Sequence, residues 1–276
     1  MTSVPRTDSK LPRVELMTVT PTMASNWLDN ANTRNRHVSD TYVTRLARDI
    51  AEGRWLLTHE GIAFDPTGVL LDGQHRLWAV VLADKPIQTY VWLNITSDAL
   101  VAINSGRPRS VQDALTLAGG CGAVTTDEVA TLRAMLGGIS SIARLTTAET
   151  REALARHRPA IDFAIGALPN SRATGGFAVS STRAVAARAW YTQDRGRLLE
   201  FCRMLVTGIV PDADRQIILM LRTSLARVTG AGHVARAARY GLMERALAAF
   251  MDGEPLTRLY AATAELFPLP DDKKAN

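Results

Sequence analysis

The chain has 276 residues, of which 46% are hydrophobic, and a formal net charge of +5, and this length predicts two domains with sizeable cores. No run of about 18 apolar residues is present, and the polar start of the chain lacks the apolar core of an export signal, so neither a membrane span nor secretion is expected. Cys121 and Cys202 are isolated in the sequence, which argues against a disulfide framework or a zinc site and favours a cytoplasmic protein.

Strand and helix patterns alternate through the first hundred residues. Thr20-Pro21 is typical of a helix N-cap followed by the first helical position. Trp78 and Trp92 stand among apolar residues and are predicted to be core residues. Together the patterns indicate a compact α/β domain over residues 1–105. They predict strands over 14–19, 61–64, 69–71 and 87–94, and helices over 21–28, 40–52, 74–83 and 98–103.

From residue 106 onward the pattern is helical almost to the end. A loop that contains Arg107 and Arg109 precedes the first of these helices, and it is interpreted either as a hinge or as a contact with a phosphate or a DNA backbone. Thr146 and Glu149 form a capping box. An all-helical domain is therefore expected over residues 106–276. Its predicted helices cover 111–118, 127–136, 148–168, 182–191, 197–207, 217–228, 234–251 and 256–266.

The excess positive charge lies in the second domain. Residues 1–105 carry 10 Lys and Arg against 11 Asp and Glu, whereas residues 106–276 carry 22 against 16. A basic excess is typical of proteins that bind nucleic acid, and Arg236 and Arg239, at i and i+3, form a candidate DNA-contacting stripe. A solvated arginine-rich surface is the alternative interpretation. His157, between two arginines at the end of a helical stretch, is predicted to lie in a surface cation cluster.

The most informative stretch is residues 71–79, LDGQHRLWA, where an apolar strand pattern meets Asp72-Gly73 and a helical pattern follows at once. The first turn of such a helix presents unpaired N–H groups and a positive dipole end, which suit a phosphate. Gly73 at the bend leaves room for a close ligand, and His75 and Arg76 add donors that match phosphate oxygens. A simple surface turn with Asp72 as an N-cap is the alternative interpretation.

The hexapeptide over residues 72–77, DGQHRL, resembles the DGQHR signature of the ParB/sulfiredoxin superfamily, in the form found in phage and actinobacterial genomes. Residues 61–71 resemble the strand–turn–strand that leads into it, and the looser resemblance extends over residues 13–110. It implies that residues 1–105 form a small mixed sheet with helices. The whole chain is then a ParB/sulfiredoxin-like α/β domain followed by an all-α domain.

The resemblance also implies a nucleotide-phosphate pocket, because the superfamily includes CTP-hydrolysing partition proteins, ATP-using sulfiredoxins and kinases of free serine. The implied cofactor is ATP or CTP with Mg²⁺, and Asp72 would lie beside the metal ion or the transferred group. Carried over onto this chain, the residues that would contact the nucleotide are Gly73, Gln74, His75, Arg76, Asn35 and Arg36.

This sequence departs from the family pattern at a position that matters for chemistry. Sulfiredoxins need a cysteine where this chain has Gln74, and an amide cannot act as a thiol nucleophile. The Glu-Arg-Arg turn of partition proteins is also absent. The serine kinases of the superfamily carry Asp-Gly-His-His-Arg, which differs from this sequence at one position, so the resemblance implies phosphotransfer or nucleotide hydrolysis as the nearest chemistry. Asp72, His75 and Glu60 are the candidate catalytic residues.

Two other functions remain open from the sequence. The first is a DNA-associated binding protein of phage type, acting in DNA modification or partition through Arg107, Arg109, Arg236 and Arg239. The second is a non-catalytic interaction scaffold, with apolar stretches such as 217–221 available for a homodimer. A nuclease is not favoured, because no carboxylate cluster of nuclease type is evident.

Overall fold

The structure is a computed structural model that describes residues 11–33, 35, 37–96, 98, 110–118, 123–170, 177–211 and 214–270. Three residues with predicted roles, Arg36, Arg107 and Arg109, lie outside these ranges, as does nearly all of the helix predicted over 98–103. The chain divides into two compact units, Met1–Pro108 and Arg109–Asn276.

The first unit is a mixed α/β structure. In chain order it contains β1 (Arg13–Val19), α1 (Pro21–Ala31), α2 (Asp40–Ala51), β2 (Ile62–Phe64), β3 (Leu70–Asp72), α3 (Gln74–Ala83) and β4 (Ile87–Leu93). The strand order in the sheet is β1-β4-β2-β3, in which β4 runs antiparallel to β1 and parallel to β2, and β2 and β3 are antiparallel. The predicted small mixed sheet with helices is therefore confirmed.

An N-cap at the start of α1 and a core shared with the sheet hold α1 and α3 in place. The Thr20 hydroxyl accepts a hydrogen bond from the Met23 N–H at 3.2 Å, as expected of an N-cap. Trp27 of α1 packs edge-on against Phe64 of β2, with ring centroids 5.1 Å apart. Leu77 of α3 lies in the same core, and all three side chains are fully buried. Burial of each such side chain contributes about 2 kcal/mol, so α3 is firmly anchored close to β2.

A tight turn over residues 65–69 joins β2 to β3, the strand that leads into α3. The Asp65 carboxylate accepts hydrogen bonds from the Thr67 N–H at 2.8 Å and the Val69 N–H at 2.9 Å. Partial burial acts to raise the pKa of Asp65, but the hydrogen bonds from Thr67 and Val69 outweigh it and lower that pKa. The turn is thus held by an ionised carboxylate, as in an Asx turn.

The second unit is helical in its described part. Its helices are α4 (Val111–Ala118), α5 (Thr126–Gly137), α6 (Thr147–Ala167), α7 (Ser180–Ala189), α8 (Arg195–Thr207), α9 (Arg215–Arg227) and α10 (His233–Asp252). The Thr146 hydroxyl accepts from the Glu149 N–H and the Glu149 carboxylate accepts from the Thr146 N–H, which confirms the predicted capping box.

The helix predicted over residues 256–266 is wrong, since this segment has no regular secondary structure. It runs against α10, where the Ala262 N–H donates to the Gly241 carbonyl at 2.9 Å. A Cβ at Gly241 would lie 2.4 Å from the Ala262 carbonyl oxygen, so glycine is what permits this approach. Leu256 and Phe267 are buried, and tertiary contacts therefore replace the local helix that the apolar spacing suggested.

The core of the second unit surrounds α7, whose described side chains are buried on every face. Arg183 and Arg188 are among them, with 2% and 3% exposure. Arg183 Nε donates to the Leu168 carbonyl at 2.9 Å, while Arg188 donates to the carbonyls of Met135 at 2.8 Å and Phe267 at 2.7 Å. These guanidinium groups satisfy carbonyls at helix and segment ends that burial would otherwise leave unpaired.

Three side-chain placements differ from the sequence predictions. Trp78 and Trp92 are 39% and 37% exposed rather than core residues, because α3 and β4 each turn these positions away from the sheet core. His157 is buried rather than in a surface cluster, and its Nδ1 lies 2.7 Å from the Tyr191 hydroxyl. Among the described residues, no helix combines the length and apolar character needed to cross a membrane.

Candidate active site at the first turn of α3

Gly73 joins β3 to α3 with a φ of +100°, in the left-handed region that favours glycine. A Cβ at this position would lie 2.9 Å from Ile62 Cγ1 on β2. The sequence predicted that Gly73 leaves room for a ligand, but the structure gives two other reasons for glycine here. The turn needs its backbone conformation, and the packing against β2 needs its lack of a side chain.

Arg76, on the first turn of α3, is held by two hydrogen bonds and a longer ion pair. Its Nη2 donates to Glu60 Oε2 at 2.6 Å, and its Nη1 donates to the Gly61 carbonyl at 2.8 Å. The same Nη1 lies 3.7 Å from Asp72 Oδ2. The tertiary structure thus brings Glu60 next to Arg76, which follows it by 16 positions. Both predicted catalytic carboxylates, Glu60 and Asp72, pair with the arginine that is predicted to bind phosphate.

Exposure differs strongly within this group, which we call the Arg76 cluster (Glu60, Asp72 and Arg76). The Arg76 side chain is only 16% exposed, whereas Asp72 is 37% and Glu60 is 62% exposed. The guanidinium therefore has a fixed position, in which low solvent access strengthens its electrostatic interactions. Glu60 is the member that can leave most easily, because water can solvate its carboxylate fully.

His75 faces α2 rather than the Arg76 cluster. The Ser39 N–H donates to His75 Nε2 at 3.1 Å, so this nitrogen carries no proton in the observed arrangement. The ring packs edge-on against Tyr42, with centroids 5.4 Å apart. The contact satisfies the backbone of Ser39, which is the N-cap residue of α2 and makes no side-chain cap. In this arrangement His75 Nε2 joins α2 to α3.

The remaining predicted nucleotide ligands in the described ranges have structural partners. Asn35 Nδ2 donates to the Leu70 carbonyl at 2.8 Å and to Asn32 Oδ1 at 2.7 Å, which ties the loop before α2 to β3. Gln74, the first residue of α3, is only 4% exposed. Asn35 therefore holds the strand that carries Asp72, and Gln74 is a packed residue at the helix start.

Gly73, the N-cap residue of α3, has no side chain with which to cap the first turn. The first intrahelical bond runs from the Leu77 N–H to the Gly73 carbonyl at 3.0 Å. The positive end of the helix dipole lies at this turn, immediately beside the Arg76 guanidinium. An anion at this position would meet backbone N–H groups and a fixed cation together.

The predicted metal ligand Asp72 does not belong to a larger ligand cluster. Within the described ranges, His, Cys, Asp and Glu side chains form no group of three that could hold a metal ion. Glu60 and Asp72 nevertheless offer two carboxylates on one guanidinium. Mg²⁺ at nucleotide sites is commonly held by one or two carboxylates, with phosphate and water completing its shell, and this donor set fits that pattern.

The predicted basic stripe of the second unit is engaged with backbone carbonyls. Arg236 is 7% exposed and donates to the Gly138 and Ile139 carbonyls at 3.0 Å and 2.8 Å, and burial lowers its pKa. Arg239 donates to the Val228 carbonyl at 2.6 Å. These contacts join α10 to the ends of α5 and α9, and the geometry gives no support to a nucleic-acid contact by the pair.

Sequence reasoning missed a buried ionic cluster in the second unit. Glu244 of α10 is fully buried, and its Oε2 accepts from the Leu266 N–H at 3.2 Å. The Tyr240 hydroxyl donates to Glu265 Oε2 at 2.9 Å, and Arg188 Nε lies 3.2 Å from the same oxygen. Burial, followed by the nearby charge of Glu265, raises the pKa of Glu244 to about 8. No signal in the sequence pointed to this cluster, because the apolar spacing of residues 256–266 predicted a helix instead.

No protein-family model matches the chain, and no curated protein or solved structure matches it either. The candidate site is therefore defined by the geometry of the first turn of α3. Its components are the helix start, the Arg76 guanidinium and two carboxylates.

Proposed function

We propose that this chain is a ParB/sulfiredoxin-like nucleotide-binding protein, which holds the phosphates of a nucleoside triphosphate such as ATP or CTP at the first turn of α3. The observation that carries the proposal is the Arg76 cluster at the start of α3. Phosphoryl transfer depends on fixed positive charge at the phosphate and on a carboxylate that orients the nucleophile or the metal ion. The cluster supplies both requirements within a few ångströms.

The residues of the site divide into three roles. Arg76 and the backbone of the first α3 turn bind phosphate oxygens, since a guanidinium fork and helix N–H groups are both suited to them. Asp72 and Glu60 are the carboxylates that would hold Mg²⁺, which when bound neutralises charge on the phosphates. His75 and Asn35 position α2 and β3 around the site through the Ser39 and Leu70 backbone.

The proposed reaction is hydrolysis or transfer of the terminal phosphoryl group. In hydrolysis, the bond between the γ-phosphorus and its bridging oxygen breaks while a new bond forms to a water oxygen, and a nucleoside diphosphate leaves. Asp72, next to Arg76, is the candidate to orient that water or accept its proton. Thiol chemistry of the sulfiredoxin kind is disfavoured, because Gln74 stands where that chemistry needs a cysteine.

Calorimetric titration of ATP, CTP, GTP and UTP with Mg²⁺ tests the proposal on wild type and on Arg76→Ala. Loss of one charge-assisted fork weakens binding about 10- to 100-fold. Arg54→Ala is the matched control, because Arg54 also pairs with two carboxylates, Asp49 and Glu52, and its side chain is 12% exposed. Binding in wild type and in Arg54→Ala, lost in Arg76→Ala, supports the proposal, and silence with all four nucleotides refutes it.

A further inference from the structure

The guanidinium that the proposed function assigns to phosphate is already occupied by the protein itself. Nη2 of Arg76 donates to Glu60, Nη1 donates to the Gly61 carbonyl, and Asp72 forms a longer ion pair with Nη1. An incoming phosphate oxygen that takes Nη2 must therefore compete with the Glu60 carboxylate for that donor.

The local charge also opposes a free anion. The cluster contains one guanidinium and two carboxylates, so its formal charge is negative, and His75 adds no charge while its Nε2 accepts a hydrogen bond. A metal-free polyphosphate carries several negative charges and would be repelled by both carboxylates at short range. A divalent cation that contacts those carboxylates reverses the balance.

We infer that the site takes its ligand as a divalent-metal polyphosphate complex, and that Glu60 is an internal carboxylate that blocks Arg76 against metal-free anions. This inference rests on the proposed function and adds to it the class of ligand and the residue that selects it. Glu60, rather than Asp72, is the blocking group because its contact is the shorter one, at 2.6 Å against 3.7 Å. Glu60 is also the more exposed of the two, and it precedes β2, whereas Asp72 belongs to β3.

Substitution of Glu60 separates its blocking role from a general effect of charge. Glu60→Gln keeps the length of the side chain, and its 62% exposure means that core packing is not disturbed. Glu52→Gln is the matched control, because Glu52 is 53% exposed, belongs to the same unit and also pairs with an arginine. Thermal melts of both variants establish that the fold is kept.

The experiment is a titration of sodium tripolyphosphate and of ATP by calorimetry, with EDTA and then with Mg²⁺. Wild type and Glu52→Gln bind both probes much more weakly in EDTA than with Mg²⁺. Glu60→Gln binds them in EDTA about threefold to tenfold more tightly than wild type does, because one competing ion pair and one repulsive charge are removed. The double variant Glu60→Gln with Arg76→Ala loses this gain, since the freed guanidinium is what binds.

The outcomes distinguish failure of the blocking role of Glu60 from failure of the proposed nucleotide-binding function. If wild type binds with Mg²⁺ but Glu60→Gln gains nothing in EDTA, the blocking role is wrong and the nucleotide site stands. Equal binding by wild type with and without Mg²⁺ overturns the metal requirement. If no variant binds either probe with Mg²⁺, the proposed function itself fails.

Discussion

The buried carboxyl of Glu244 predicts a specific dependence of stability on pH. Glu244 has no exposed surface, and burial together with the charge of Glu265 raises its pKa to about 8 from an ordinary value of 4.5. The charge of Arg188 on α7 opposes this shift. Between these two pH values, the folded protein keeps a proton that the unfolded chain has lost.

The sign and size of the effect follow from this proton difference. Because the folded state binds the extra proton, stability falls as pH rises, at about 1.4 kcal/mol per pH unit for one full proton. The contribution of Glu244 is fully present below its ordinary pKa of 4.5 and is lost as pH passes through about 8. Over that window the loss amounts to several kcal/mol, a large share of the free energy of unfolding of an ordinary domain.

Glu244→Gln removes this titration while keeping an oxygen that can accept from the Leu266 N–H. Urea unfolding of wild type and variant from about pH 5 to about pH 8 measures the difference in free energy at each pH. We expect the free energy of unfolding of the variant to increase steadily relative to that of wild type as pH rises, by several kcal/mol in total. Glu254→Gln is the control, because Glu254 pairs with Arg245 at the surface and its pKa is lowered, chiefly by that hydrogen bond. Parallel curves for wild type and Glu244→Gln would refute the reasoning.

Two further substitutions test the first turn of α3. Gly73→Ala combines a left-handed φ with a Cβ 2.9 Å from Ile62, and we expect it to lower the free energy of unfolding by about 2–4 kcal/mol. The control Gly53→Ala has a φ of +74° with open space around it, and we expect it to lower that free energy by about 1 kcal/mol in the same urea assay. Equal losses of stability in the two variants would show that packing of Gly73 against β2 does not matter. His75→Ala deprives the Ser39 N–H of its acceptor and lowers stability by about 1 kcal/mol, while calorimetry shows less loss of nucleotide affinity than Arg76→Ala does. An equal or greater loss of affinity would return His75 to the phosphate site.

Helix and strand limits were largely predictable, because they depend on groups close together in the chain. The Thr20-Pro21 start of α1 and the capping box at Thr146 and Glu149 both appear in the structure. Hydrogen bonds of this kind join a side chain to an N–H three residues away. Their geometry is therefore set by the local backbone, and no knowledge of the rest of the fold is needed.

Tertiary packing decided the cases in which local pattern failed. The segment 256–266 has helical spacing, yet it lies along α10 because Gly241 lets its backbone approach to hydrogen-bonding distance. Trp78 and Trp92 are apolar in the sequence but partly exposed, since hydrophobicity alone does not determine which face of an element meets the core. Long-range contacts outweigh local preference wherever burial is at stake.

The candidate site shows the same division. The sequence by itself determined that Gly73 begins a helix after a strand, and that Arg76 lies on its first turn beside Asp72. Only the tertiary structure decided that Glu60 is bonded to Arg76 and that His75 turns away to Ser39. Local backbone geometry places neighbours in sequence, whereas the pairing of Glu60 with α3 depends on how the loop before β2 and the core beneath α3 bring distant parts of the chain together.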